Sequence, residues 1–294
     1  MQKIIKNLFI IGIIVCILSI FSIIGTYLAI KPNLPEIKYV DESELQMPLK
    51  VYTKDGYLIG EFGEIKRRAT SFDDIPKDIK NAFLSAEDDN FFNHQGISYT
   101  GLIRSFVRCV GPSGCQGGGG TITMQVVRGY LLTPEQTIVR KIKEIFLALE
   151  LEGKVEKEEI FELYVNRIFL GNRSYGIEAA ANTYFNKNLS ELSISESATI
   201  AAIAQLPSRI NPVKNLRRTL QRRDWILSRM FLLDHISEKE YLEAISDDIE
   251  IAKNINLYDV DAKHLAEHVR QEVIRRYGLR AVSYTHLTLP TTLS

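Results

Sequence analysis

The sequence predicts a mostly α-helical protein carried on one N-terminal transmembrane helix, with a small β element between the two. Three observations predict this. Residues 8–30 contain no charge, residues 49–62 look strand-like around a Lys54-Asp55-Gly56 turn, and from Pro76 onward apolar residues recur at helical spacing.

The anchor comes first. At about 1.5 Å per residue, a helix over 8–30 reaches roughly 34 Å, enough to cross about 30 Å of hydrocarbon. Lys3 and Lys6 precede it, so the positive-inside bias leaves the N-terminus in the cytoplasm and everything after Lys31 outside. A cleaved signal peptide would have a shorter apolar run and a small-x-small site, whereas this run ends Tyr27-Leu28-Ala29-Ile30. The expected location is therefore the cytoplasmic (inner) membrane, single-pass, with the remainder on the extracytoplasmic side.

A Pro-bearing linker follows to about Met47, then the β element, whose Asp-Gly turn suggests a hairpin. Pro76 suits a first helical position, and Ile79, Ala82, Phe83 and Ala86 give the next segment one apolar face. A Gly-rich break over 111–120 precedes the following helix. In 137–152, Ile138, Ile142, Ile145 and Leu149 recur at helical intervals, and 157–170 and 176–185 look helical too. Small residues fill 195–206, which Pro207 stops, and further helices are expected over 215–234 and 261–277. The last stretch, 282–294, lacks charge and helical period; it resembles a foreign tail and is left out of the fold.

With 36 basic and 36 acidic side chains, the chain has no global attraction for nucleic acid, so any anion site must be local. Three cysteines are too few for a disulfide framework. Cys16 falls in the anchor. Cys109 and Cys115 bracket a Gly/Pro loop, where a local disulfide and two inert thiols both fit.

Three constellations carry chemistry. Glu87-Asp88-Asp89 ends an apolar helix beside Phe91 and Phe92, where a half-buried carboxylate with a raised pKa suits proton transfer and a solvated acidic turn is the plain alternative. Gly117 to Gly120 run into Thr121-Ile122-Thr123-Met124-Gln125, with Arg128 about two turns on. Such a helix start can bring backbone N–H groups to a phosphate, although glycine runs are often linkers. Arg140, Lys141 and Glu144 lie within one helical turn. They are either a surface ion pair or a cationic grip on a diphosphate with a carboxylate beside it.

Together, the order and spacing of these blocks resemble the peptidoglycan glycosyltransferase family (family 51 glycosyltransferases), the module at the N-terminal end of class A penicillin-binding proteins. The first three blocks are Glu87-Asp88-x-x-Phe91-x-x-His94-x-Gly96, Thr121-Ile122-Thr123-x-Gln125 and Arg140-Lys141-x-x-Glu144. A fourth holds Glu162-Leu163-Tyr164-x-Asn166, Leu170-Gly171, Tyr175-Gly176 and Tyr184-Phe185. The fifth runs from Glu196-x-Ala198 through Leu206-Pro207-Ser208 to Asn211-Pro212.

The resemblance implies a lysozyme-like, two-lobed domain over 71–235. It also implies the start of a helical linker over 236–281, leading toward a transpeptidase domain absent from this sequence, which has no Ser-x-x-Lys. The implied substrate is lipid II, a disaccharide-pentapeptide on undecaprenyl diphosphate, joined through β-1,4 links with inversion. Glu87 would be the general base and Glu144 the second catalytic glutamate. Asp88, Thr121, Gln125, Arg128, Arg140 and Lys141 would bind substrate. No cofactor is required, although a divalent cation (Mg or Mn) is compatible. The implied partners are lipid II, the growing glycan strand, the membrane and other cell-wall synthesis proteins.

The chain departs from the family pattern at Gly120 (usually Ser), Met124 (Gln), Arg128 (Lys) and Gly129 (Asn). Losing two polar groups removes hydrogen bonds worth about 0.5–1.5 kcal/mol each. A glycan-cleaving lysozyme-like enzyme would share the fold and a glutamate, but it needs neither the cations nor the anchor. A non-catalytic cell-wall scaffold would not need both glutamates. A nucleotide-sugar transferase has only Asp259-x-Asp261 in its favour, which is better read as a helix N-cap region. The basic cluster Arg217, Arg218, Arg222 and Arg223 suits either a solvated face or anionic lipid.

Overall fold

The computed structural model describes residues 49–62, 69–101, 120–132, 137–172, 174–252, 263–277 and 286–287, with scattered positions between 7 and 37. Most of 8–30, Cys109, Cys115 and Gly117 to Gly119 lie outside the described residues, so the expected anchor and disulfide do too. Among the described residues, no helix is long and apolar enough to cross a membrane.

The architecture is mostly helical, as expected. The chain divides into two compact units. One comprises Met1–Glu42 and Gln95–Val155, and the other Ser43–His94 and Glu156–Ser294.

In the first unit, α2 (Ile122–Leu131) packs on α3 (Ile138–Glu152). Both begin at a threonine N-cap. The Thr121 hydroxyl accepts from the N–H of Met124 at 3.2 Å and that of Thr137 from Arg140 at 3.1 Å, each satisfying a donor that the first turn leaves open. Gly96 adopts φ +76°, and a Cβ there would meet the Ala148 carbonyl at 2.8 Å. Only glycine lets the backbone approach α3 so closely.

The second unit opens with a hairpin of β1 (Leu49–Tyr52) and β2 (Leu58–Phe62), antiparallel with Lys50 opposite Glu61. Gly56 turns it at φ +87°. Helix α9 (Lys263–Tyr277) covers this sheet, and Val51, Ile59, Ala266 and Val273 form their shared core. The remaining helices are α1 (Lys77–Glu87), α4 (Lys157–Arg167), α5 (Ile177–Phe185), α6 (Ile194–Gln205), α7 (Leu216–Leu232) and α8 (Glu238–Ser246). Helix α6 is buried from Ser195 to Ile203, and α1 and α7 both pack against it.

Three expectations need correction. Helix α4 stops at Arg167 rather than 170, because Gly171 takes φ +77° and a Phe169–Tyr175 bridge closes the following loop. Helix α8 falls within the helical linker expected over 236–281 but was not placed by its own bounds, although Ser237 and Glu240 form a reciprocal capping box that marks its start. The tail, left out of the fold, contributes β3 (His286–Leu287), which pairs in parallel with β1. The hairpin leaves one edge of β1 open, and an uncharged stretch rich in Thr and Leu suits such an edge.

A buried polar knot ties two loops of this unit together. The Tyr184 hydroxyl donates to the Leu170 carbonyl at 2.7 Å and accepts from Asn211 Nδ2 at 3.1 Å. Burial pushes the phenol pKa up, while the Asn211 hydrogen bond acts in the opposite direction. Gly171 lies against this knot: a Cβ would meet Asn211 Nδ2 at 2.8 Å and the Tyr184 hydroxyl at 2.9 Å. Replacing Gly171→Ala combines a left-handed backbone with a steric clash, so it is expected to destabilise the fold by about 1–3 kcal/mol. A thermal midpoint equal to that of the parent chain would refute this.

Candidate active site

Glu87 is the last residue of α1, and packing alone puts it there. Ile79, Ala82 and Phe83 are fully buried, which fixes the rotation of the helix and leaves Glu87 half-buried at its end. Asp88 leaves the helix at φ −160° and ψ 80°. It is only 7% exposed, and its two oxygens lie 3.1 and 3.0 Å from His94 Nε2. The chain between them reverses through a short 3-10 turn, Phe91–Asn93. Phe91 is buried there, edge-on to Phe92 and tilted against Phe161. The Phe pair expected to flank Glu87 is thus unequal, because Phe92 stays exposed.

Helix α7 completes this neighbourhood. Arg229 pairs with Asp89, two residues past Glu87. One heptad earlier on the same helix, Arg222 lies over the Trp225 ring, 3.9 Å from its centroid. Burial lowers the Arg222 pKa, while the charge of Glu87 raises it, which puts the two within electrostatic reach of each other. Sequence reasoning grouped Arg222 with its neighbours and did not place it near Glu87. The cluster in fact divides: Arg223 turns inward to Ser195 Oγ and the carbonyls of Ile245 and Asp247, at 3.2, 3.2 and 2.9 Å. The seven-residue spacing of Arg222 and Arg229 was the available signal.

The cationic group belongs to the first unit. Glu144 is 1% exposed, yet it is fully engaged, accepting from Arg140 Nη1 at 2.6 Å and from Lys141 Nζ at 3.1 Å. Charge-assisted bonds of this length hold both cations in one geometry. Lys141 Nζ lies 3.6 Å from where a Cβ on Gly120 would be, which puts the ammonium beside the start of α2. Arg140 Nε is buried and makes no hydrogen bond among the described residues. Two cations, one carboxylate and a helix N-terminus leave net positive character for an anion.

Thr121 donates to the Gly96 carbonyl at 2.6 Å, so its hydroxyl is committed to structure. Gln125 is half-buried, and Arg128 is exposed in the last turn of α2. Met124, where the family usually carries Gln, is 1% exposed and packs in the core. Among the described residues, no group of three or more His, Cys, Asp or Glu side chains is arranged to hold a metal ion. Glu87 and Asp88 therefore belong to one unit, and Thr121, Gln125, Arg128, Arg140, Lys141 and Glu144 to the other.

The transglycosylase family model matches residues 55–231, more than half of the chain and every residue of both groups. Penicillin-binding protein 1A of Pseudomonas aeruginosa is 44% identical over 275 residues, covering 94% of this chain and 34% of the relative. The Haemophilus influenzae protein of that name is 44% identical over 237 residues, covering 81% and 28%. For the Escherichia coli protein, the identity is 37% over 277 residues, covering 94% and 33%. The crystal structure of the Haemophilus influenzae protein superposes with a TM-score of 0.52 at 32% identity, over 83% of this chain and 26% of that one. The chain thus spans about a third of the length of these curated relatives. On the family match and these similarities, the chain belongs to the transglycosylase family.

Proposed function

We infer that the chain polymerises a lipid-diphosphate-linked disaccharide, of the lipid II type, into glycan strands at the outer face of the cytoplasmic membrane. The observation that carries this reading is the buried Glu144 carboxylate, which fixes Arg140 and Lys141 together, with Lys141 beside the start of α2. A glycan hydrolase has no anionic leaving group and no use for two cations held in place. A lipid diphosphate needs them, because negative charge builds on it as the glycosidic bond breaks. The orphaned Nε–H of Arg140 supplies one further donor for such an anion.

In this mechanism, Glu87 takes the proton from the acceptor 4-hydroxyl. The freed oxygen attacks the anomeric carbon of the donor, and the bond to the diphosphate breaks with its electron pair moving onto undecaprenyl diphosphate. One in-line displacement converts an α-linked diphosphate to a β-1,4 glycoside, so no covalent enzyme intermediate forms. Asp88, held by His94, positions the turn behind the base. Arg128 and Gln125 are the remaining groups assigned to the substrate. The anchor over 8–30 keeps the 71–235 domain at the membrane where that substrate resides.

Detergent-solubilised protein given purified lipid-linked precursor is expected to yield polymer on a separating gel. Glu87→Gln keeps the shape and removes the base, and should slow polymerisation about 10²–10⁴-fold. A variant as active as the parent would remove Glu87 from the mechanism.

Glu144→Gln tests the other half. It should lower kcat/KM about 10–100-fold, as expected when charge-assisted bonds holding Arg140 and Lys141 are lost. Unchanged kinetics would mean that the two cations need no carboxylate to hold them.

A further inference from the structure

Residues 205–223 hold six cations and no carboxylate, in a chain whose charges balance overall. Two are committed, Arg223 to Asp224 and the carbonyls of Ile245 and Asp247, and Arg222 to the Trp225 face. Arg209, Lys214, Arg217 and Arg218 are exposed and, among the described residues, make no ion pair.

The loop that carries them, between α6 and α7, is tightly tied. The Leu206 carbonyl accepts from the N–H groups of Arg209 and Ile210 at 2.8 and 2.7 Å, and the Asn211 carbonyl from those of Lys214 and Asn215 at 3.1 and 2.7 Å. Its centre, Ile210 to Pro212, is buried, and Asn211 is locked to Tyr184. With the centre held inward, Leu206, Val213 and Leu216 are left outward at 40, 50 and 41% exposure. Single exposed apolar residues are ordinary. Three within eleven residues, interleaved in sequence with four exposed cations that make no ion pair among the described residues, put apolar and cationic groups together on one fixed loop.

We propose that residues 206–218 dock on an anionic lipid bilayer, with Leu206, Val213 and Leu216 entering the boundary between headgroups and acyl chains and the four cations meeting lipid phosphates. Apolar insertion and attraction to anionic headgroups are the two contributions that bind interfacial elements, and this loop supplies both. The proposal rests on the reading that the chain is held at a membrane and adds a second point of contact. That contact sets the height of α7 above the lipid, and with it that of the turn after Glu87, which Arg229 ties to α7.

Trp225 is the only tryptophan, so Trp225→Phe with Val213→Trp gives the full chain a single emitter at the loop tip. The protein is reconstituted into phosphatidylglycerol vesicles or phosphatidylcholine vesicles, each carrying lipids brominated near the headgroup. Vesicle flotation and emission are read together. Expected are blue-shifted emission, strong bromine quenching in phosphatidylglycerol and weaker quenching in phosphatidylcholine. Adding Arg217→Glu and Arg218→Glu should lower the docked population about tenfold or more, with an unchanged thermal midpoint showing that the fold survives. Protein that floats while the reporter emits as in water, open to acrylamide with both lipids, overturns the docking surface and leaves the anchor standing. Protein that floats with neither vesicle overturns both. Polymerisation with and without Glu87→Gln judges the catalytic reading separately.

Discussion

The constraint on which the second unit depends is the burial of α6 along nearly its whole length. A helix surrounded by neighbours must leave no polar group stranded and must let other helices approach closely. Ala198, Ala201 and Ala202 meet the second requirement. Its polar residues largely meet the first. Glu196 caps Ser193 and takes Lys187 at 2.8 Å, Thr199 donates to the Ser195 carbonyl, and Ser195 Oγ receives Arg223. Because α1 and α7 both lie on this helix, the end of one and a face of the other share a neighbourhood. Glu87 and Arg222 come within electrostatic reach through that packing.

Much of this was legible in the sequence, for identifiable reasons. Helices with a strong apolar period or a capping residue were found to within a residue or two: Thr137 marks α3, Ser193 marks α6 and Asn215 marks α7. The end of α4 was misplaced because a left-handed Gly171 overrides the apolar run through Phe169 and Leu170. For the proposed site, side-chain type and spacing singled out the clusters holding Glu87, Arg140, Lys141 and Glu144, and the family resemblance supplied their expected roles. They did not reveal which polar groups are spent on the fold. Asp88 is engaged by His94 and Thr121 by Gly96, pairings made across turns that no spacing rule encodes. The division of Arg222 from Arg223 was hidden for a related reason. Adjacent residues on a helix differ by about 100°, so one can serve the core and the other the surface.

The two chemical groups differ in how they are stabilised. Glu144 is buried and paired with two cations, so removing it would leave both Arg140 and Lys141 without their partner. Glu87 is only half-buried at a helix end. A group that must accept and release a proton benefits from that exposure, whereas a group that only holds cations in place benefits from enclosure. The proposed division of roles, Glu87 as base and Glu144 as organiser, fits this contrast in environment.

The departures from the family pattern acquire a physical reading on the same terms. At 3.6 Å from Lys141 Nζ, a Cβ on Gly120 would sit in ordinary contact, so a serine would fit without displacing α2 or α3. Glycine there gives up a hydroxyl beside the ammonium and leaves the approach to the helix start more open. Met124 differs in kind, because its position faces the core and a thioether is well suited to fill it. The polar loss at position 124 is offset by burial of apolar surface, whereas the loss at Gly120 falls beside the Lys141 ammonium, at the proposed anion site. Arg128, exposed and able to bind phosphate through two donors, lies on the same helix and can recover part of what Gly120 gives up.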